Sequence, residues 1–132
     1  MTRLDRNEPT MSEALPGDPR DTTTPNAIVA SLETILLGKI LTPASRRRLT
    51  AWLVANTTGG TRLRAGLPKD WTVGDKTGTG SNGTVNDVAI VWPVRAAKGP
   101  VFIASFVNSG TAPSDTLYAA HAGIARAVAA WV

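Results

Sequence analysis

Trp71-Thr72-Val73-Gly74-Asp75-Lys76-Thr77-Gly78-Thr79-Gly80 decides how the rest of the chain is read. The run from Trp71 to Thr77 reads as a strand that leads into Gly78 and a glycine-dominated turn. Two apolar, β-rich runs follow, Val85 to Trp92 and Val101 to Val107, separated by a loop around Pro93 and Gly99. Their spacing predicts neighbouring antiparallel strands. Their near-continuous apolarity predicts a sheet covered on both faces. Helices must supply that cover, so the fold class is α/β in the broad, α+β sense: an antiparallel sheet of about three strands packed with helices.

The covering helices are legible on either side. Ile28, Leu32, Ile35 and Leu36 recur at helical spacing, with Asn26 available as an N-cap and Gly38 as a stop. Thr42 and Pro43 open a second helix that runs to about Asn56, with Leu49, Trp52 and Leu53 on one face. Thr57 to Gly66 is a glycine-rich connection holding Arg62 and Arg64. At the far end, Ser114 or Asp115 caps a helix whose face is Leu117, Ala120, Ile124, Val128 and Trp131. Trp52, Trp71, Trp92 and Trp131 are read as packing residues. Residues 1–25 carry Pro9, Pro16, Pro19 and Pro25 among Asp, Thr and Gly, a long loop whose two ends Arg6 and Asp21 can close as an ion pair. The 132 residues thus divide into a loop over 1–25, a helical segment over 26–66, and strands with a final helix over 71–132, all in one domain.

Composition removes several function classes. Apolar residues at 42% and charged residues at 18% describe a folded chain rather than a disordered one. The net charge of +4 is scattered apart from Arg46, Arg47 and Arg48, which read as a solvated helix face. No stacking aromatics accompany that triplet, so nucleic acid is not an expected partner. Without cysteine there is no disulfide or thiolate site, and the single His121 cannot form a histidine metal cluster, so neither metal nor cofactor is expected. The N-terminal residues lack the apolar core of a signal peptide, and no stretch is long enough to cross a membrane.

Two segments carry chemistry. Glu8, between Arg6 and Pro9 in the long loop, can act as a general base if the loop holds it against a water. Lys76, Thr77 and Thr79 place a cation and two hydroxyls on a strand edge, while Gly78 and Gly80 admit a ligand close to the backbone. Such an edge suits a carboxylate, and a free Thr79 N–H suits a developing oxyanion. Taken alone, each segment has a plainer reading, a surface carboxylate and a hairpin turn.

Together they are recognisable. Arg6-Asn7-Glu8-Pro9 through Arg20-Asp21-Thr22-Thr23-Thr24-Pro25 resembles the omega loop of class A serine β-lactamases, and Trp71 to Gly80 resembles their Lys-Thr-Gly strand at its familiar separation. The resemblance covers essentially all of this chain and about half of a family member, so it implies an incomplete β-lactamase/transpeptidase-like fold. It implies Glu8 as the base that activates the deacylating water, a cis Glu8–Pro9 bond, and Arg6 with Asp21 as the pair that pins the loop. Lys76, Thr77, Gly78 and Thr79 correspond to the edge that receives the substrate carboxylate. Ser12 stands where the family has an asparagine that shares the hydrolytic water. Arg62, in the stretch after Thr57-Thr58-Gly59, corresponds to an arginine that reaches the carboxylate pocket in a subset of the family, with Arg64 the second choice.

The family's other two motifs, S-x-x-K and S-D-N, do not occur in the sequence. The expectation is a fragment of a β-lactam-hydrolysing enzyme, nearly inert alone because its covalent nucleophile would come from a missing N-terminal segment. A truncated frame, a mis-set start and a deliberate division all fit. The alternative is a non-catalytic β-lactam-binding or interaction fragment. The family is usually exported, to the periplasm or beyond. An exposed apolar sheet face is expected where the missing segment would pack, favouring self-association.

Overall fold

The structure is a computed structural model that describes residues 1–94 and 99–132. A proline-rich loop with a 3-10 turn at Thr10–Ser12 leads into α1 (Pro25–Leu36), α2 (Pro43–Val54) and the short α3 (Leu63–Gly66). Strands β1 (Thr72–Thr79), β2 (Val85–Trp92) and β3 (Val101–Val107) follow, and α4 (Ser114–Trp131) ends the chain. The sheet has the order β1-β2-β3 with both pairings antiparallel, as the strand runs predict. Part of the connection expected around Pro93 and Gly99, residues 95–98, lies outside the described residues.

The register sorts side chains onto two faces. Val73, Asp75 and Thr77 share one with Val91, Ala89 and Asp87 of β2 and with Val101, Ile103 and Ser105 of β3. Against it pack α3 and α4, and Leu63, Leu67, Val73, Ala89, Val91, Ile103 and Ala125 form the core. On the opposite face α2 crosses β1 and α1 lies on β3. Gly74 eases that crossing, since a Cβ would come within 3.1 Å of Leu53 Cβ. The core face is therefore apolar at the Val73–Val91 end and polar at the Thr77–Asp87 end, where the site lies.

Four local readings need correction. Thr24, not Asn26, caps α1: its side chain accepts from the Ala27 N–H, with Pro25 as the first helical residue. This repeats the Thr42–Pro43 start of α2, whose cap accepts from the Ser45 N–H. Pro113 holds the N-cap position of α4 without a side-chain cap, so neither Ser114 nor Asp115 serves. The buried stripe of α4 is His121, Ala122 and Ala125, one step round from the stripe expected, and Ala120 and Ile124 face outward. Small residues win because α3 approaches closely: a Cβ on Gly66 would lie 2.0 Å from the Ala122 carbonyl oxygen. Trp52 and Trp131 are 66% and 86% exposed and so are not packing residues in this chain. Among the described residues the exposed large apolar side chains lie on helices, as at Trp52, Ile124 and Trp131, and in connections, as at Ile40, rather than on a bare sheet face. β3 pairs only with β2 among the described residues.

Candidate functional site

The loop over residues 1–24 is closed by charge. Arg6 donates through Nε to Asp21 Oδ2 at 2.6 Å and through Nη1 to Glu13 at 2.7 Å, while Asp21 Oδ1 accepts the backbone N–H groups of Asp5 and Arg6. Asp21 adopts a positive φ of 55°, a backbone state that Asp tolerates better than most residues. The Arg6 guanidinium holds the Asp21 carboxyl below its ordinary range, and Arg20 does the same to Asp18. The Glu8–Pro9 peptide bond is cis.

This loop docks on the turn after β1. The Ser81 N–H donates to Ser12 O at 2.9 Å, and Asn82 Nδ2 donates to Glu13 O and Ala14 O at 3.1 and 3.3 Å. Gly80 permits the approach, because a Cβ there would stand 2.9 Å from the Ser12 carbonyl oxygen. Ser12 also donates its hydroxyl to Glu8 Oε2 at 2.9 Å. The Ser12 side chain therefore contacts the carboxylate directly.

On the strand, Lys76 is exposed and its Nζ donates to Thr77 O at 2.7 Å. Thr77 shares a 2.5 Å hydrogen bond with Thr58, so the Thr57-Thr58-Gly59 stretch is tied to β1. Arg62 comes from the same connection, is only 5% exposed, and donates to Gly78 O at 3.0 Å, Asn86 O at 2.7 Å and Thr79 Oγ1 at 2.6 Å. Its guanidinium sits 4.6 Å from the Tyr118 ring centroid. Arg64 turns away and pairs with the buried Asp75, which also accepts from Asn56 Nδ2 at 2.5 Å. Of the two arginines, only Arg62 touches the Lys76–Gly80 edge.

Behind that edge lies a buried polar layer that the sequence reading missed. Asp87 and His121 are fully buried, and His121 Nδ1 shares a 2.7 Å hydrogen bond with Ser105 Oγ. Asp87 Oδ2 accepts the Leu63 N–H at 3.1 Å. Burial, and then the neighbouring Asp75, push the Asp87 carboxyl up to about 7. Burial and then Arg62 hold the His121 ring below its ordinary value. The available signal was Asp87 within a largely apolar strand run, since a charge there must be buried and satisfied.

Glu8, Ser12, Lys76, Thr77 and Thr79 line one cleft of about 520 Å³, bounded also by Asn108. A more open groove of about 670 Å³ runs along α2 past Arg46 and Ala55. It holds none of these groups, so the chemistry assigns the site to the first. Among the described residues no group of three or more His, Cys, Asp or Glu side chains is arranged to hold a metal, and no helix is long and apolar enough to cross a membrane.

A three-stranded antiparallel sheet with helices on both faces, a clamped loop carrying Glu8, and a Lys-Thr-Gly edge together define a serine β-lactamase-type architecture. The profile of the Beta-lactamase enzyme family matches residues 1–132, and the chain belongs to the class A β-lactamases. It is 58% identical over 95 residues to β-lactamase CTX-M-97 of Escherichia coli, covering 72% of this chain and 33% of that protein. It is 56% identical over 91 residues to β-lactamase OXY-2 of Klebsiella oxytoca, covering 69% and 31%. Among solved structures, an ancestral GNCA class A β-lactamase superposes with a TM-score of 0.96 at 53% identity, covering 99% of this chain and 50% of that one. The chain thus spans about a third of the first curated relatives it matches and about half of the solved chains.

Proposed function

We propose that this chain is the C-terminal part of an enzyme that hydrolyses β-lactam antibiotics through an acyl-serine intermediate, the serine standing on a segment outside this sequence. One observation carries the reading: the Ser81 N–H to Ser12 O bond seats the Glu8 loop on the Lys76–Gly80 edge, so both line one cleft. In the proposed reaction Lys76, Thr77, Thr79 and Arg62 take the substrate carboxylate, and the Thr79 N–H faces the oxyanion. Glu8 removes a proton from water as that water attacks the acyl carbonyl, and the serine leaves with a proton restored. The export common to the family, to the periplasm, is part of the same proposal.

The exposed Ile40, Trp52, Ile124 and Trp131, with the open edge of β3, fit contact with the remaining half of the fold and make the isolated chain prone to self-association. The test is hydrolysis of a chromogenic cephalosporin by the chain alone and after mixing with a class A segment carrying S-x-x-K and S-D-N. Turnover only in the mixture is expected. Turnover by the chain alone contradicts the missing nucleophile. Binding without turnover in the mixture favours the alternative, a non-catalytic β-lactam-binding fragment.

A further inference from the structure

Arg62 and Arg64 stand two residues apart, yet their charges meet different fates. Arg64 is paired with Asp75. Arg62 is buried and hydrogen-bonds only neutral acceptors, and among the described residues it forms no ion pair. A buried cation without a counter-ion is costly and persists where something else gains from it. The remaining buried carboxyl of this layer is Asp87. Its Oδ2 accepts the N–H of Leu63, the residue after Arg62, while its buried Oδ1 has no partner among the described residues.

We propose that Asp87 is the positioning residue for Arg62 and sets the charge that Arg62 places behind Thr79 at the edge of the cleft. As a neutral acid, Asp87 anchors the Leu63 N–H through Oδ2, carries its proton on Oδ1, and leaves the guanidinium charge to a ligand carboxylate. As a carboxylate it draws on that charge and weakens the pocket. The inference rests on the carboxylate-pocket reading above. The groups around Asp87 are Asp75 on β1, Arg62 and Arg64 beside and within α3, Ser105 opposite it on β3, and Tyr118 and His121 on α4. Burial and Asp75 favour the neutral acid, while the Leu63 N–H and the two arginines oppose it, and the balance falls near neutral pH. His121, its basicity lowered, adds no compensating positive charge there.

Nuclear magnetic resonance on the whole chain tests this. The Asp87 carboxyl carbon and the Arg62 Nε are followed from about pH 5 to about pH 9 in the wild type. Phenylacetate binding is read at the Thr79 amide near both ends of that range. The two resonances are expected to move together with a midpoint near pH 7. Phenylacetate affinity is expected to fall about fivefold on the alkaline side, as a buried charge a few ångströms away is neutralised. Asp87→Asn, which keeps the Leu63 contact but cannot ionise, is expected to bind at alkaline pH as the wild type does at acid pH. An Asp87 midpoint in the ordinary carboxylate range, an Arg62 resonance that ignores it, or the same pH dependence in Asp87→Asn overturns the proposal. Absence of phenylacetate binding at acid pH overturns the pocket reading instead, and co-titration at Arg62 then decides the role of Asp87 by itself.

Discussion

The first 24 residues and the layer behind β1 are built from the same residue types and work by different physics. The loop contains five of the six ion pairs found among the described residues; Arg3–Asp5, Arg6–Glu13 and Arg20–Asp18 each keep one partner in water, while the Asp21 carboxylate that Arg6 also holds is largely enclosed. The layer contains one, Arg64 with Asp75, whose carboxylate is fully buried. Solvent screens the exposed loop pairs, so each of those contributes little to global stability, and with the enclosed Arg6–Asp21 pair they hold a loop shape. Burial amplifies the single pair behind the strand, where losing one partner leaves an unsatisfied charge. Local shape and global stability thus reside in different places.

Asp75→Ala should have the largest effect. It strips Arg64 and Asn56 of their partner and is expected to cost about 3 kcal/mol or more, read as a fall in the urea midpoint. A variant within error of wild type would erase the contrast. Asp87→Asn should act with opposite sign. The folded carboxyl is raised to about 7, so it binds its proton more tightly than the unfolded chain does. Stability is therefore lost as pH climbs from about 4 to 7, and the amide should stabilise by on the order of 2 kcal/mol near pH 8 and by little near pH 4. A benefit equal at both pH values would contradict this.

Arg6→Ala should lower the urea midpoint less than Asp75→Ala does, yet collapse hydrogen-exchange protection at the Asp5 and Arg6 amides, which donate to Asp21. Because the Asp21 pKa is lowered, its contribution is present above the ordinary carboxylate range. The wild-type loop should lose the same protection as pH drops below that range. Arg20→Ala, at an exposed pair with Asp18, should change neither measurement beyond error.

The same contrast explains what was legible in the sequence. Strands β2 and β3 were readable end to end because apolar β-rich runs are local signals, and Glu8, Lys76 and Arg62 were named because their motifs are contiguous. The stripe on α4 was misread because Ile124 and Trp131 look like core residues, whereas close approach by Gly66 selects Ala122 and Ala125. Asp75, Asp87, Ser105 and His121 come from three strands and a helix, so no spacing along the chain brings them together. Ser12 is legible only as the residue four positions after Glu8, and its hydrogen bond to the Glu8 carboxylate comes from the 3-10 turn at Thr10–Ser12.

Glu8 is the proposed base of deacylation, and the lifetime of the acyl-enzyme tests that role most directly. With the chain mixed with a class A segment carrying S-x-x-K, mass spectrometry of the serine-bearing segment should show no accumulated adduct for wild type. A stable β-lactam adduct should appear for Glu8→Ala. Equal turnover in both, with no adduct trapped in the variant, would contradict the role of Glu8 and leave the Lys76–Gly80 edge as a binding surface alone.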